Sequence, residues 1–271
     1  MATIVILEHL LQREVKLPYM VYQLAERWRA AGHRVIVHHG FQNPPPGDLA
    51  VNNIDLTVVP EGYRELLGRY RRVINGAVLD VSKSRFSEQR LRPGDAWTGA
   101  VIVKTEANFG GKPEQLLRSL AMKSGMPCDI PAGPVADGYP TYASLREMPE
   151  SVWSVPGLIV EKFLPERDER GYYIRIWTFF GARERSSRFR ADVPIIKSEH
   201  VRDREPVQVP DQIRAWRDRL RFDYGKFDYV KAHGRFLLLD ANRTPSLPPE
   251  FAPRAAETVD LLAGGLEDYL R

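Results

Sequence analysis

Cysteine is almost missing from this chain. Cys128 stands alone, so no disulfide can close within it, and a reducing, cytoplasmic setting is expected. Long apolar runs are missing too. FLLL at 236–239 and the valines around Val103 fall far short of the about 20 residues a bilayer-spanning helix needs, so no membrane partner is expected. The opening MATIVILEHL has neither a basic region nor a cleavage site and reads as a strand, not a signal peptide. No GxGxxG and no GxxxxGK[ST] occurs, so a dinucleotide fold or a P-loop would lack its phosphate loop. Internal repeats and low-complexity tracts are absent. Charge of one sign is scarce as well: 39 Lys and Arg are interleaved with 35 Asp and Glu, for a formal charge of +4. Without a basic stripe carrying aromatics, nucleic acid is not an expected partner, and an anionic small molecule accounts for the slight basic excess.

What is present is a globular chain of 271 residues, 43% hydrophobic and 27% charged, long enough for two or three packed subdomains. TIVILEH and RVIVHH read as strands, with LPYMVYQLAERWRAAGH between them as a helix closed by Gly32. FQNPPPGDLAVNN reads as a loop, DLTVVP as a strand, EGYRELLGRY as a helix and RVIN as a strand. This alternation predicts a small, mainly parallel α/β unit over 1–75. Beyond it, DVSKSRFSEQRL and YASLREMPESVW read as helical, AVIVK and GLIVEKFL as strands, and PEQLLRSLAMK as a helix. YYIRIWTFFGARERSSRFRADVPIIK supplies antiparallel strands. DQIRAWRDRLRF is a polar helix, FDYV and RFLLLDAN form a hairpin about AHG, and EFAPRAAETVDLLAGGLEDYLR is terminal helix.

Chemistry concentrates at three places. Asp240 and Asn242 lie two apart on one strand and so share a face, which Asp228 can reach from the neighbouring arm. Two carboxylates and an amide oxygen without His or Cys form a hard-oxygen set suited to Mg²⁺ or Mn²⁺; a strand-end cap followed by an Asx-type turn would use the same residues. In VIVKTEANFGG, Lys104 ends a buried strand before a glycine loop and a helix, an arrangement that can surround phosphates with an ammonium and backbone N–H groups. A solvated strand end is the plainer alternative. In LIVEKFLPERDERGYYIR, a strand edge fit for a flat base runs into Glu166, Asp168 and Glu169, acids that could meet sugar hydroxyls or simply be solvated. Arg175, between apolar strand neighbours, needs a partner. Arg183, Arg185, Arg188 and Arg190 line one strand, and at least two of them are expected to face a cleft and hold a substrate carboxylate; a solvated basic strand is the alternative.

Lysine with a glycine loop, then IVEKFL, then a strand arginine, then Asp…Asp-x-Asn is an order that resembles the ATP-grasp enzymes. GKFDYVKAHGRFLLLDANRTP is similar to their C-terminal signature, as in D-alanine–D-alanine ligases, glutathione synthetase-like enzymes and ribosomal-protein glutamate ligases. The resemblance covers roughly 75–248. It implies an α/β (α+β) ATP-grasp fold: an N-terminal Rossmann-like unit (1–75), a central lid subdomain (76–164) and a C-terminal antiparallel-sheet subdomain (165–271) carrying the metal ligands. It also implies an ADP-forming carboxylate–amine ligase using ATP and two Mg²⁺ ions, with Mn²⁺ able to substitute, and small-molecule carboxylate and amine substrates. A homodimer is left open, as are an ATP-grasp polyol kinase and a nucleotide-binding module without turnover. By resemblance Lys83 and Lys104 touch phosphates, under a lid of Phe109, Gly110 and Gly111. Glu161, Lys162, Phe163 and Leu164 read the adenine edge, Asp168 or Glu169 takes the ribose, and Leu238 lies under the base. Arg175 and Lys226 meet the phosphate and the developing acyl phosphate, and Asp228, Asp240 and Asn242 hold metal. Three features depart from the pattern: Asp240 replaces Glu, Lys226 replaces Arg and loses its bidentate fork, and Lys83 lies closer to Lys104 than usual.

Overall fold

A computed structural model describes residues 1–15, 17–136 and 138–270. Its first sheet is parallel, in the order β2-β1-β3-β4, from β1 (Thr3–Glu8), β2 (Arg34–His39), β3 (Leu49–Asn52) and β4 (Val73–Ile74). Ile4, Val5, Ile6 and Leu7 are all buried because this central strand is covered on both faces. Helix α1 (Met20–Ala30) lays Val21, Leu24 and Trp28, spaced for one helical face, over Ile4 and Ile6. Helix α2 (Glu61–Leu67) places Tyr63 and Leu66 against Val5 and Leu7 on the other side. Gly32 ends α1 at φ 87°, a conformation that favours glycine. The stretch expected as loop contains β3: four buried residues between β1 and β4, too short to stand out after three prolines. DLTVVP is not a strand; only Val58 makes an isolated bridge, to Asp80.

The second sheet, β5-β8-β6-β7, is antiparallel and small: β5 (Arg90–Leu91), β6 (Val101–Thr105), β7 (Thr141–Tyr142) and β8 (Leu158–Lys162). Helix α3 (Lys112–Lys123) follows a tight glycine turn after β6. Neither helix expected around this sheet forms. In DVSKSRFSEQRL only Lys83–Arg85 makes a single helical turn, because Phe86 drops into the C-terminal core and the chain straightens into β5. In YASLREMPESVW the chain begins as β7, and Pro149 confines helical geometry to one turn, Glu150–Ser154.

The third sheet runs β12-β11-β10-β13-β14, with β9 beside the start of β10: β9 (Glu166–Asp168), β10 (Gly171–Phe180), β11 (Arg183–Ala191), β12 (Val201–Pro206), β13 (Tyr224–Ala232) and β14 (Arg235–Asn242). One face carries Trp177, Phe179, Phe227 and Tyr229 under Ile213 and Trp216 of α4 (Asp211–Leu220). At one end of the opposite face, Phe180 and Tyr224 join the core of the first sheet, which α5 (Ala252–Ala263) completes with Val259 and Leu262. His233 (φ 49°) and Gly234 (φ 75°) close the β13–β14 hairpin in two residues.

Candidate active site

The hairpin delivers the acids as its spacing foretold. Asp228 stands directly opposite Asp240, and Lys226 opposite Asn242, so all four side chains share one face of the sheet. Lys226 donates to Asp228 at 3.2 Å. Burial pushes the Asp228 carboxyl above its ordinary range, with Lys226 opposing and Asp240 adding to the effect. Burial also weighs against a charged Lys226, yet Asp228 and Asp240 outweigh it and raise the ammonium's pKa. Among the described residues the buried Asp228 Oδ1 has no hydrogen-bond partner. An orphaned carboxylate oxygen beside a second carboxylate fits a divalent cation, which Mg²⁺ completes with water and phosphate oxygens; the Asn242 amide oxygen would join it on releasing the N–H it accepts from Asn108. No group of three His, Cys, Asp or Glu side chains among the described residues forms a closed protein cage, so an ion here would depend on its substrate for ligands.

Lysines approach from the second sheet. Lys104, buried on β6, lies 2.6 Å from Glu161 on β8, whose Oε1 has no partner among the described residues. Lys83 is also buried; its Nζ donates to Ala107 O at 2.8 Å and lies 3.7 Å from Asp240 Oδ1. The short spacing between the two lysines therefore does not keep Lys83 from Asp240. The glycine turn is fixed by geometry that only small residues permit. Gly110 and Gly111 have φ 69° and 74°, and a Cβ there would lie 2.6 Å from Ala136 O and 2.7 Å from Pro134 O. Phe109 shares the left-handed region at φ 47° and stays exposed. Asn108 ties the turn to the hairpin by donating to Asn242 Oδ1 at 3.3 Å.

Several expected site residues lie elsewhere. Strand alternation puts Arg175 opposite Tyr229, on the face away from Asp228 and Asp240. There its guanidinium forms a bidentate pair with Glu166 at 2.7 and 2.8 Å, and Lys231 N–H donates to the same carboxylate. The partner that Arg175 needed is thus Glu166. Leu238 is buried in the core beneath α4, because the register slips by one residue between Asp228 and Tyr229; half-buried Leu239 takes the irregular position beside Asp240. The N–H groups of Lys162 and Phe163 are spent on Gln89 O and Ala100 O, both at 2.9 Å, so they read no base edge. Lys162 instead lays its ammonium 4.9 Å over the Trp97 ring, and Leu164 follows just past the strand. Asp168 accepts from Tyr173 and from Arg170 N–H within its own hairpin, where Glu169 is exposed. The four arginines of β11 divide by alternation. Arg188 and Arg190 bind Glu205 and Asp203 on the far face, whereas Arg183 and Arg185 share the acids' face, and Arg185 reaches Glu257 and Thr258 of α5.

A polar chain that no motif announces links the acids to the first sheet. Asn242 Oδ1 accepts from Thr244 N–H at 2.8 Å; Thr244 Oγ1 donates to Asp55, which also accepts from Tyr19. Glu8, fully buried at the carboxyl end of β1, accepts from Tyr22 at 2.6 Å and Asn53 at 2.7 Å and faces His39 at 3.0 Å. Carboxyl ends of parallel strands are where open α/β sheets bind ligands. Arg243, between Asn242 and Thr244, is buried and donates to the carbonyls of Ile54, Leu56 and Val78, which pins the end of β14 to the first sheet.

Three sheets in this order form an ATP-grasp fold, as the likeness to solved structures shows. An ATP-grasp ligase, PsnB, complexed with minimal precursor, superposes with a TM-score of 0.58 at 13% identity, covering 100% of both chains. The D-alanine–D-alanine ligase of Bacillus anthracis gives 0.53 at 12% identity, covering 100% of this chain and 97% of that one. A RimK-domain ATP-grasp protein from Sphaerobacter thermophilus gives 0.54 at 12% identity, with 99% of each covered. No protein-family model matches the chain, and no curated protein matches it in sequence. At these identities the likeness shows the fold alone. No helix among the described residues is long and apolar enough to cross a membrane.

Proposed function

We propose that this chain is an ATP-dependent carboxylate–amine ligase. The observation that carries the reading is the convergence of Lys83 and the glycine turn on the hairpin of Asp228 and Asp240, with Lys104, paired to Glu161, close enough for its charge to act on Asp228. Buried ammonium groups facing a carboxylate pair suit a polyanion that arrives with its own cations. In the reaction a substrate carboxylate oxygen bonds to the γ-phosphorus of ATP while the bond to the β-phosphate oxygen breaks and ADP leaves. An amine then attacks the acyl carbon, loses a proton and displaces inorganic phosphate, giving an amide.

Lys104 and Lys83 would hold phosphate oxygens, and the N–H groups of the glycine turn and the start of α3 would cradle them. Lys226, beside Asp228, would meet the charge that shifts onto the transferred group. Asp228, Asp240 and Asn242 would hold Mg²⁺, which neutralises phosphate charge and keeps the reacting oxygens in line. With Arg175 engaged by Glu166, the transition-state cation assigned to it by resemblance falls to Lys226. The neighbours' substrates run from D-alanine to peptide precursors, so the fold does not select the acceptor.

The test is ADP and phosphate release across a panel of carboxylates, amines and polyols, with mass spectrometry of the products. Amide formation with stoichiometric ADP and phosphate is expected. A phosphorylated polyol without free phosphate would replace the ligase with a kinase, and ATP binding without any turnover would leave a binding module.

A further inference from the structure

Tyr139 belongs to no motif, yet the fold carries it into the cleft. β6 and β7 pair Val101 with Tyr142 and Ile102 with Thr141, and the ladder continues with Val103 N–H donating to Pro140 O at 2.9 Å. One step further, Tyr139 falls opposite Lys104, and opposite residues of an antiparallel pair share a face. Its surroundings agree. Tyr139 is part-buried, and the carboxylates that act on its hydroxyl are Asp240, Asp228 and Glu161, which come from two different sheets and meet only in this cleft. Burial first, then those three charges, push the phenol up to about 12, so at neutral pH it keeps its proton and can donate. No hydrogen bond to another described residue engages that hydroxyl. Upstream, Ala136 N–H donates to Gly110 O at 3.0 Å, against glycines that admit no Cβ.

A proton donor set among carboxylates, opposite a phosphate-binding lysine, is useful to a ligand that is itself an anion and brings cations for the acids. We propose that Tyr139 is a further nucleotide-site residue, its hydroxyl donating a hydrogen bond to an oxygen of the terminal phosphate of bound ATP. Its place opposite Lys104, not at the strand end near Leu164, selects the phosphates over the base, and the terminal one is the phosphate that cations held at Asp228 and Asp240 would meet. The inference rests on reading the cleft as an ATP site.

The test is calorimetry of wild type, Tyr139→Phe and Tyr139→Ala with Mg²⁺ and either a non-hydrolysable ATP analogue or ADP, alongside urea unfolding of each protein. Phe keeps the ring and its packing, so its unfolding midpoint should match wild type. Its affinity for the ATP analogue should fall about 10-fold, as for one hydrogen bond to a charged group, while ADP binding stays within about two-fold. Ala should lose at least as much for the analogue. If Tyr139→Phe binds both nucleotides like wild type, or loses both equally, the terminal-phosphate contact is refuted while the ATP site stands. Wild type that binds neither nucleotide would overturn the ATP site and this inference together.

Discussion

Lys104 and Glu161 offer a perturbation whose structural and functional parts can be separated. They form a buried pair at 2.6 Å, and Glu161 Oε1 already lacks a partner among the described residues. Lys104→Met alone leaves a buried carboxylate without its counter-charge, which costs about 3–5 kcal/mol. At roughly 2–4 °C per kcal/mol for a chain of this size, Tm should fall by about 6–20 °C. The double variant Lys104→Met/Glu161→Gln removes both charges at similar volume, so it should lie within about 1–2 kcal/mol of wild type. Affinity should behave differently. Both variants lack the ammonium proposed to hold phosphate, so both should bind a non-hydrolysable ATP analogue about 10-fold more weakly, or about 1.4 kcal/mol. Urea unfolding without nucleotide, beside calorimetry with the analogue, measures the two effects independently. A double variant that is stable and binds the analogue like wild type would refute Lys104 as a phosphate ligand.

Asp240→Asn should lower turnover at least about 10²-fold and move the Mg²⁺ titration to higher concentration, because the ion counters charge that grows during transfer; unchanged Mg²⁺ dependence would remove Asp240 from the metal set. Arg175→Ala should cost no more than about 3 kcal/mol, because Arg188 remains 3.6 Å from Glu166 when its closer partner is lost, whereas Arg175→Met/Glu166→Met should recover part of that and bind ATP analogue normally; an analogue-binding defect in the stable double variant would return Arg175 to the site. Burial raises the Glu8 carboxyl, so the native state holds its proton more tightly than the unfolded chain does. That group's contribution is most favourable below the unfolded value of 4.5 and declines as pH climbs from there toward the raised folded value. Glu8→Gln lacks this decline, so its stability relative to wild type should increase with pH above 4.5, by no more than about 1.4 kcal/mol per pH unit. A pH-independent difference in urea unfolding would contradict the assignment.

Features set by short-range spacing were legible in the sequence. Asp240 and Asn242 share a face because they are two apart, and His233-Gly234 forces the tight turn that brings Asp228 alongside. Lys104 and the glycine turn follow one another in the chain and remain together in space. What could not be read depends on long-range partners or on register. The face of Arg175 is set by how β10 pairs with β13, and its partner lies nine residues back across a hairpin. Leu238 and Leu239 exchange environments through a one-residue slip that apolar pattern cannot reveal in a run of three leucines. Tyr139 is brought alongside β6 only because an irregular segment ends by pairing with that strand. The chain Tyr19, Asp55, Thr244 and Asn242 joins positions more than two hundred residues apart, which no local pattern encodes.

The most direct test of the ligase account follows an oxygen atom. A carboxylate activated by phosphorylation gives one of its oxygens to the phosphate later released. The panel substrate that supports ADP release should therefore be prepared with ¹⁸O in its carboxylate, turned over with its amine partner, and the inorganic phosphate analysed by mass spectrometry. The account predicts one ¹⁸O in each phosphate, with an amide product in equal amount. Phosphate released without label, or ADP formation that depends on neither carboxylate nor amine, would contradict it.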